Sequence, residues 1–332
     1  MIGILTPYGR NEVTAAALAL ADVIHGRGEE VRLASAGGQE EGIHPHWDTP
    51  SPAAPGWDSA CDAVICFGGI PHYKTSTILV PGWEYLPGAN MLTDVQIVCP
   101  NAFYYASFKA AGAPLLHLCP WGSGIGQPTT RTGPARKGRT YVLFWCNNTI
   151  IDTASGIVIE TITELLRRLP EVSITVASTR TWPRRSRAAW NKLLNRYPLR
   201  LECIPLGGHV EQLRALYAAD WIVVPSLADA FGMAALRALA TGAPVIAYAG
   251  APYSSIIKPG ENGFLAAASL PYNSTLPTIV PEPGSLLKTC LAAFTSPAPR
   301  HKLGGWGQLK SDWSMEENDR QFASFWVELL DI

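Results

Sequence analysis

The feature that most constrains the fold is an alternation of short apolar runs with longer segments of helical periodicity. The chain opens on "MIGILTPYG", a buried-strand pattern, and continues with "EVTAAALALADVIHGRG", where apolar residues recur every three or four positions up to a glycine. "EEVRLASAGG" then indicates a second strand. Because consecutive parallel strands are joined by a helical crossover, this unit predicts a parallel sheet.

The alternation occurs twice. Three more strands are predicted at "CDAVICFGG", "VQIVCP" and "PLLHLCPWG", each closed by Gly or Pro. Residues 133–139, "GPARKGR", are the best linker candidate, and after them five strands alternate with four helices. The sequence therefore predicts an α/β fold of two tandem Rossmann-like domains, residues 1–134 and 140–310, followed by an amphipathic helix in residues 311–332. Residues 267–299, rich in Pro, Ser and Thr, indicate an irregular surface segment.

Composition narrows the functional classes. At 332 residues, 47% hydrophobic and 16% charged, the chain is typical of a globular protein. It contains no apolar run near the roughly 18 residues of a membrane span and no signal-peptide pattern, so we expect a cytoplasmic protein. The net charge of −1 demands no polyanionic partner. Seven scattered cysteines without a C-x-x-C pair predict reduced residues, mostly in the core.

The stretch "PSLADAFGMAALRALATGAPVI", residues 225–246, predicts a strand end, an acidic loop and a small-residue helix. Such a loop lies at the carboxyl edge of a parallel sheet, where free N–H groups and the helix dipole favour an anion. Gly232 would let the backbone approach a phosphate closely. The alternative is an ordinary crossover in which the glycine only serves the turn.

Residues 207–266 resemble the nucleotide-sugar half of the group 1 retaining glycosyltransferases, which have the two-Rossmann GT-B architecture. The resemblance rests on the order and spacing of "AD", a strand, "PS", "DAFG", "GAPVI" and "GENGFL". The N-terminal half resembles the family more loosely through "TPYGR", "VPGWEYLP", "IVCPNAFYYASFKAAG" and "LCPWGSG". The last helix resembles the family helix that crosses back onto the N-terminal domain.

The resemblance implies a hexosyltransferase-like enzyme that moves a sugar from a nucleotide-diphosphate sugar to an acceptor hydroxyl with retention. A UDP-sugar is the first donor to expect, and no metal is required. The donor would lie against the C-terminal domain and the acceptor against the N-terminal one. Catalysis would rest on positioning and on stabilising the departing diphosphate.

Site residues follow from the same resemblance. Asp229 falls on the acidic position that contacts sugar hydroxyls, so its replacement by alanine should abolish turnover with little loss of folding. Gly9 and Arg10 fall on the first loop, which faces the diphosphate from the other domain. The segment whose backbone contacts sugar and phosphate comprises Ala230, Phe231, Gly232, Met233 and Ala234.

Two departures from the family pattern affect the donor site. Arg237 stands where the family has its ribose-binding acid, and a guanidinium only donates hydrogen bonds. "FWCNNTIIDTASG" lacks the cations that neutralise the diphosphate in the family, so Arg10, Arg180 or Arg237 would have to replace them. Three interpretations stay open: relocated arginines holding an unusual nucleotide or donor phosphate, a rebuilt ribose contact, or a fold that has lost transfer.

Three further residues are candidate site residues. For each of them, the simpler alternative is a loop residue without a functional role. His72 in "FGGIPHYK" falls where some family members place a histidine near the donor sugar. His209 in "GGHVEQL" falls near the nucleotide base. Glu84, between Trp83 and Tyr85, is positioned to orient an acceptor hydroxyl.

Residues 180–200 concentrate seven Arg and Lys among aromatic residues, the composition of a nucleic-acid contact or of a solvated helix with inward tryptophans. A modified base in phage DNA is therefore one acceptor to consider, although the acidic N-terminal half argues against it. The alternatives to a transferase are a non-catalytic sugar- or nucleic-acid-binding protein and a sugar-nucleotide epimerase on the same fold.

Overall fold

The computed structural model describes residues 1–6, 12–35, 51–52, 61–67, 76–81, 95–124, 139–146, 151–178, 184–205, 209–269, 279–295 and 315–332. These residues form two parallel sheets with helices packed on them, and a buried apolar core runs through both. The predicted α/β fold with two Rossmann-like domains is confirmed.

The N-terminal sheet has the strand order β3-β2-β1-β4-β5-β6-β7, and every pairing is parallel. Its strands are β1 (Ile2–Thr6), β2 (Val31–Ser35), β3 (Ser51–Pro52), β4 (Ala63–Phe67), β5 (Ser76–Val80), β6 (Gln96–Cys99) and β7 (Leu116–Leu118). Helix α1 (Glu12–His25) connects the first two strands, and α2 (Ala102–Ala110) follows β6.

The C-terminal sheet has the order β10-β9-β8-β11-β12-β13, the doubly wound Rossmann arrangement. Its strands are β8 (Thr140–Cys146), β9 (Val172–Ser178), β10 (Leu201–Pro205), β11 (Trp221–Val224), β12 (Val245–Tyr248) and β13 (Gly263–Ala266). Its helices are α3 (Ile151–Arg168), α4 (Arg184–Arg196), α5 (His209–Ala218), α6 (Met233–Ala240), α7 (Tyr253–Ile256) and α8 (Ser285–Thr295). A short antiparallel pair, β14 (Ala268–Ser269) and β15 (Val280–Pro281), precedes α8.

Each sheet changes winding direction at its centre, between β1 and β4 and between β8 and β11. Ligands of doubly wound folds bind beyond the carboxyl ends of the strands at this point. The loop of residues 225–232, called the site loop below, follows β11 at the C-terminal switch point. By chain order, Gly9 and Arg10 follow β1 and His72 follows β4, although all three lie outside the described residues.

The expectation of an irregular segment over residues 267–299 is wrong for residues 285–295. Helix α8 occupies that part and buries Leu286, Cys290 and Phe294. It packs on β12 and β13 and on α3. Pro, Ser and Thr on either side of the helix hide its apolar spacing in the composition.

Helix α9 (Met315–Leu330) returns to the N-terminal domain and lies against α1, as the resemblance implied. Its Asn318 side chain donates a 2.8 Å hydrogen bond to the carbonyl of Trp121. Asp319 accepts from the backbone N–H of Ser123 at 2.7 Å and from its hydroxyl at 2.6 Å. A Cβ on Gly122 would stand 2.6 Å from the ring of Phe322, so this turn fits closely under the helix. The domain boundaries themselves stay a prediction.

The basic segment is a helix with an inward tryptophan over its described part. Trp190 is 3% exposed. The guanidiniums of Arg196 and Arg200 lie over the ring of Tyr197, 5.4 and 5.2 Å from its centre. Arg200 also donates a hydrogen bond to the carbonyl of Leu169, the residue that follows α3. These contacts favour the solvated-helix interpretation; Trp182 lies outside the described residues.

Of the seven free cysteines, only Cys203 is exposed and Cys146 is half-buried, in line with the core positions predicted for most of them. Burial raises the pKa of the Cys66 and Cys99 thiols to about 12. Over the part of the chain that the structure describes, no helix has the length and hydropathy to cross a membrane.

Candidate functional site

Asp229 organises the site loop from inside the C-terminal domain. Its Oδ1 accepts hydrogen bonds from the backbone N–H groups of Phe231 at 3.0 Å and Gly232 at 2.8 Å. Its Oδ2 accepts from the hydroxyl of Tyr253 at 2.7 Å, and the residue is 2% exposed. A carboxylate offers about two acceptor positions on each oxygen, so the bonds from described residues leave one position on Oδ2 for a ligand.

Gly232 links the site loop to α6 in a left-handed conformation, with φ 71° and ψ 28°. A Cβ at this position would lie 2.5 Å from Cδ1 of Ile256 and 3.0 Å from Cγ of Pro252. Glycine is therefore required both by the backbone and by these neighbours. The sequence pointed to the glycine for a close phosphate approach, whereas the space beside it is filled by the segment around α7.

The start of α6 provides the free N–H groups that an anion needs. The first hydrogen bond inside the helix runs from the N–H of Leu236 to the carbonyl of Gly232 at 2.9 Å. The N–H groups of Met233, Ala234 and Ala235 precede that bond, where a helix has no acceptor of its own. With the helix dipole, they direct a positive potential toward the carboxyl edge of the sheet.

Arg237 lies one turn further along α6 and is 6% exposed. Its Nη1 donates to Oε1 of Gln212 on α5 at 3.1 Å. The cation that replaces the family's acid is therefore held between two helices of the C-terminal domain. A ribose in contact with it would have to accept hydrogen bonds through its hydroxyl oxygens.

Asn101 connects the N-terminal domain to the site loop. Its Nδ2 donates to the carbonyl of Ala230 at 2.7 Å, while its Oδ1 caps α2 by accepting from the N–H groups of Phe103 and Tyr104. Asn101 is 5% exposed. Sequence reasoning missed it: an asparagine before a helix signals a cap, but no local pattern predicts a bond to a residue 129 positions away.

An aromatic cluster joins the site loop to both domains. The ring of Trp121 lies 5.0 Å from Phe231, 5.6 Å from Phe67 and 5.0 Å from Phe322 on α9. The indole N–H of Trp121 donates to the carbonyl of Ala16 on α1 at 3.0 Å. Phe231 thus has its backbone held by Asp229 and its side chain held by the opposite domain.

The structure brings together seven of the predicted site residues on one loop and helix: Asp229, Ala230, Phe231, Gly232, Met233, Ala234 and Arg237. Gly9, Arg10, His72, Glu84 and Arg180 lie outside the described residues. His209 begins α5, but its side chain is not among those described. Among the described side chains, no group of three His, Cys, Asp or Glu is placed to hold a metal.

Solved glycosyltransferases share this architecture over nearly the whole chain. WaaG, a glycosyltransferase involved in lipopolysaccharide biosynthesis, aligns with a TM-score of 0.68 at 15% identity, over 98% of this chain and 95% of that one. Anabaena HepE, solved in complex with UDP and glucose, aligns with a TM-score of 0.59 at 13% identity, over 98% of each chain. The fold is therefore GT-B, as the resemblance implied.

The family follows from the sequence of the second domain. Residues 141–272 match the family described as glycosyl transferases group 1. The D-inositol 3-phosphate glycosyltransferase of Rhodococcus jostii (strain RHA1) is 36% identical over 86 residues, 25% of this chain and 18% of that protein. The match thus spans under a fifth of that relative's length. The matched residues lie in the C-terminal Rossmann-like domain, and the match supports the resemblance of this chain to the group 1 glycosyltransferases.

Proposed function

We propose that this chain is a retaining glycosyltransferase that moves a sugar from a nucleotide-diphosphate sugar to an acceptor hydroxyl. The observation that carries the proposal is the pairing of Asp229 with the start of α6, at the topological switch point of the family-matched domain. UDP-sugars are the first donors to test, because HepE was solved with UDP and glucose.

The described residues divide the chemistry between them. The N–H groups at the start of α6 bind the diphosphate and stabilise the charge that builds up as the anomeric C–O bond breaks. Asp229 Oδ2 accepts a hydrogen bond from a hydroxyl group of the sugar. The acceptor oxygen bonds the anomeric carbon from the face that the diphosphate leaves, and its proton passes to the departing phosphate oxygen. The chain's contribution is positioning and electrostatics.

The remaining candidates complete the proposal as predictions. Gly9 and Arg10 face the diphosphate, His72 the donor sugar, Glu84 the acceptor and His209 the base. Arg10, Arg180 or Arg237 supplies the positive charge that the first loop of the C-terminal domain lacks. Transfer without a metal also stays a prediction.

A thermal-shift panel of UDP, GDP, ADP, dTDP and CMP with their sugar conjugates tests the donor site. A ligand at about one hundred times its dissociation constant adds roughly 2.7 kcal/mol of stability. The matched variant is Gly232→Ala, which should lose the response, while Gly284→Ala, remote from the site loop in sequence, should keep it. A panel without any shift would contradict the proposal.

Labelled sugar then separates the competing functions. Consumption of the donor only with an acceptor supports transfer. Binding without consumption indicates a non-catalytic protein, and consumption without an acceptor indicates an epimerase. DNA carrying hydroxymethylated bases belongs in the acceptor panel beside glycans, with unmodified DNA as its control; incorporation into the modified DNA alone would identify the DNA acceptor.

A further inference from the structure

One polar group beside the site loop has no role in the chemistry above. Tyr104, in the first turn of α2, is 0% exposed, and its hydroxyl has no hydrogen-bond partner among the described residues. Its ring packs edge-on against Phe103, with centres 5.8 Å apart. Buried hydroxyls are normally satisfied, because an unmet hydrogen bond destabilises the folded protein.

Tyr104 lies where α2 meets the site loop. Asn101 caps the first turn of α2 and donates a 2.7 Å hydrogen bond to the carbonyl of Ala230, so in this structure the turn lies beside the loop. The preceding residue of the loop is Asp229. Burial first, and then the negative charge of Asp229, raise the pKa of the Tyr104 phenol.

The two groups have complementary needs. Asp229 Oδ2 already accepts from Tyr253 and retains one acceptor position. No described residue uses the donor or the acceptor capacity of the Tyr104 hydroxyl. A neutral hydroxyl suits this pair, since it can donate to Asp229 and accept from Tyr104. A phosphate does not suit it, because its charge would be repelled by the carboxylate.

On the basis of the proposed function, we propose that the Tyr104 hydroxyl binds a hydroxyl group of the transferred sugar. Tyr104 would contact the sugar from the N-terminal domain, across the crevice between the two domains. Tyr104 and Asp229 are both closed off from solvent in this structure. The sugar therefore reaches them only when α2 and the site loop separate. The site is thus shared between the domains and is complete only when both contact the sugar.

The test compares the affinity of UDP-glucose with that of UDP alone in the wild type and in Tyr104→Phe, after the nucleotide panel has identified the base. If another base is preferred, its glucose conjugate replaces UDP-glucose. We expect Tyr104→Phe to bind the free nucleotide unchanged and the sugar conjugate about 10-fold more weakly, about 1.4 kcal/mol. The Tm of the unliganded variant should be no lower than that of the wild type, because only an unsatisfied hydroxyl is removed.

The matched control is Ser173→Ala, which also deletes a buried hydroxyl without a partner among the described residues. Ser173 pairs with Tyr141 at the amino ends of β9 and β8, away from the crevice, so its variant should bind both ligands like the wild type. A Tyr104→Phe variant that keeps the full preference for the sugar conjugate would overturn the inference and leave the proposed function standing. A wild type that binds no conjugate of any base would overturn both.

Discussion

Two aspartates, the buried Asp229 and the half-buried Asp319, hold two glycine-containing turns with the same kind of contact over different chain separations. Asp229 binds N–H groups two and three residues away and a hydroxyl 24 residues away, all within the C-terminal domain. Asp319 binds both groups of Ser123, 196 residues away. The site loop is thus shaped by its own domain, whereas the placement of α9 on the N-terminal domain depends on distant contacts.

The largest effect is expected for Gly232→Ala, which tests how firmly the local turn is shaped. A left-handed alanine costs about 1–2 kcal/mol, and overlap with Ile256 and Pro252 adds about 1–3 kcal/mol. We expect a loss of about 4 kcal/mol in urea unfolding and loss of transfer. Gly284→Ala is the control, since its φ of +69° comes with no atom within 4 Å of the added Cβ. Equal losses in the two variants would refute the role of packing at Gly232.

Two variants of Asp229 separate its role in shaping the site loop from its role in sugar transfer. From the sequence alone, Asp229→Ala would cost little folding, but its three hydrogen bonds change that expectation to a loss of about 3 kcal/mol. Asp229→Asn keeps an oxygen for Phe231 and Gly232, so it should unfold within about 1 kcal/mol of the wild type and still lose transfer. Full activity in a stable Asp229→Asn would show that the carboxylate serves the loop only.

Asn101→Ser tests the contact through which the N-terminal domain reaches the locally built loop. Serine retains the cap of α2, but its side chain is one atom shorter than that of asparagine, so its hydroxyl does not reach the carbonyl of Ala230. We expect a loss of about 1 kcal/mol, and faster hydrogen exchange at the Phe231 amide. Unchanged exchange at that amide would mean that the C-terminal domain holds the loop without help.

The smallest effect is expected for the contact between Asp319 and Ser123, whose contribution to the free energy of unfolding depends on pH. Burial raises the pKa of the Asp319 carboxyl above its ordinary 3.8, although the bonds from Ser123 lower it. The folded state therefore binds this proton more tightly than the unfolded state. The resulting stability is complete below pH 3.8 and is lost as the pH rises through the folded pKa.

Asp319→Asn keeps an oxygen acceptor for the Ser123 N–H and removes the charge. Its stability relative to the wild type should rise between about pH 3 and about pH 7, measured as Tm across that range. A difference in Tm that stays constant with pH would contradict the prediction.

The sequence predicts what depends on periodicity and local motifs. Five strands of each sheet and the start of α6 could be predicted, because each follows from spacing along one segment, whereas β3, β5 and β13 were missed. The segment around α8 was misjudged, because its composition outweighed its apolar spacing. Tyr253 and Trp121 lie in segments that resemble the family, yet their partners could not be predicted. Those partners come from other elements, brought close only by the finished fold.

The bond between Ser123 and Asp319 also sets an order of events during synthesis. The ribosome adds about 5–20 residues per second, so the 196 residues between the partners take about 10–40 s. Through that interval the turn at residues 122–124 and the indole of Trp121 have emerged without the helix that covers them. The nascent N-terminal domain therefore presents an uncovered apolar surface that a chaperone can recognise until α9 is made.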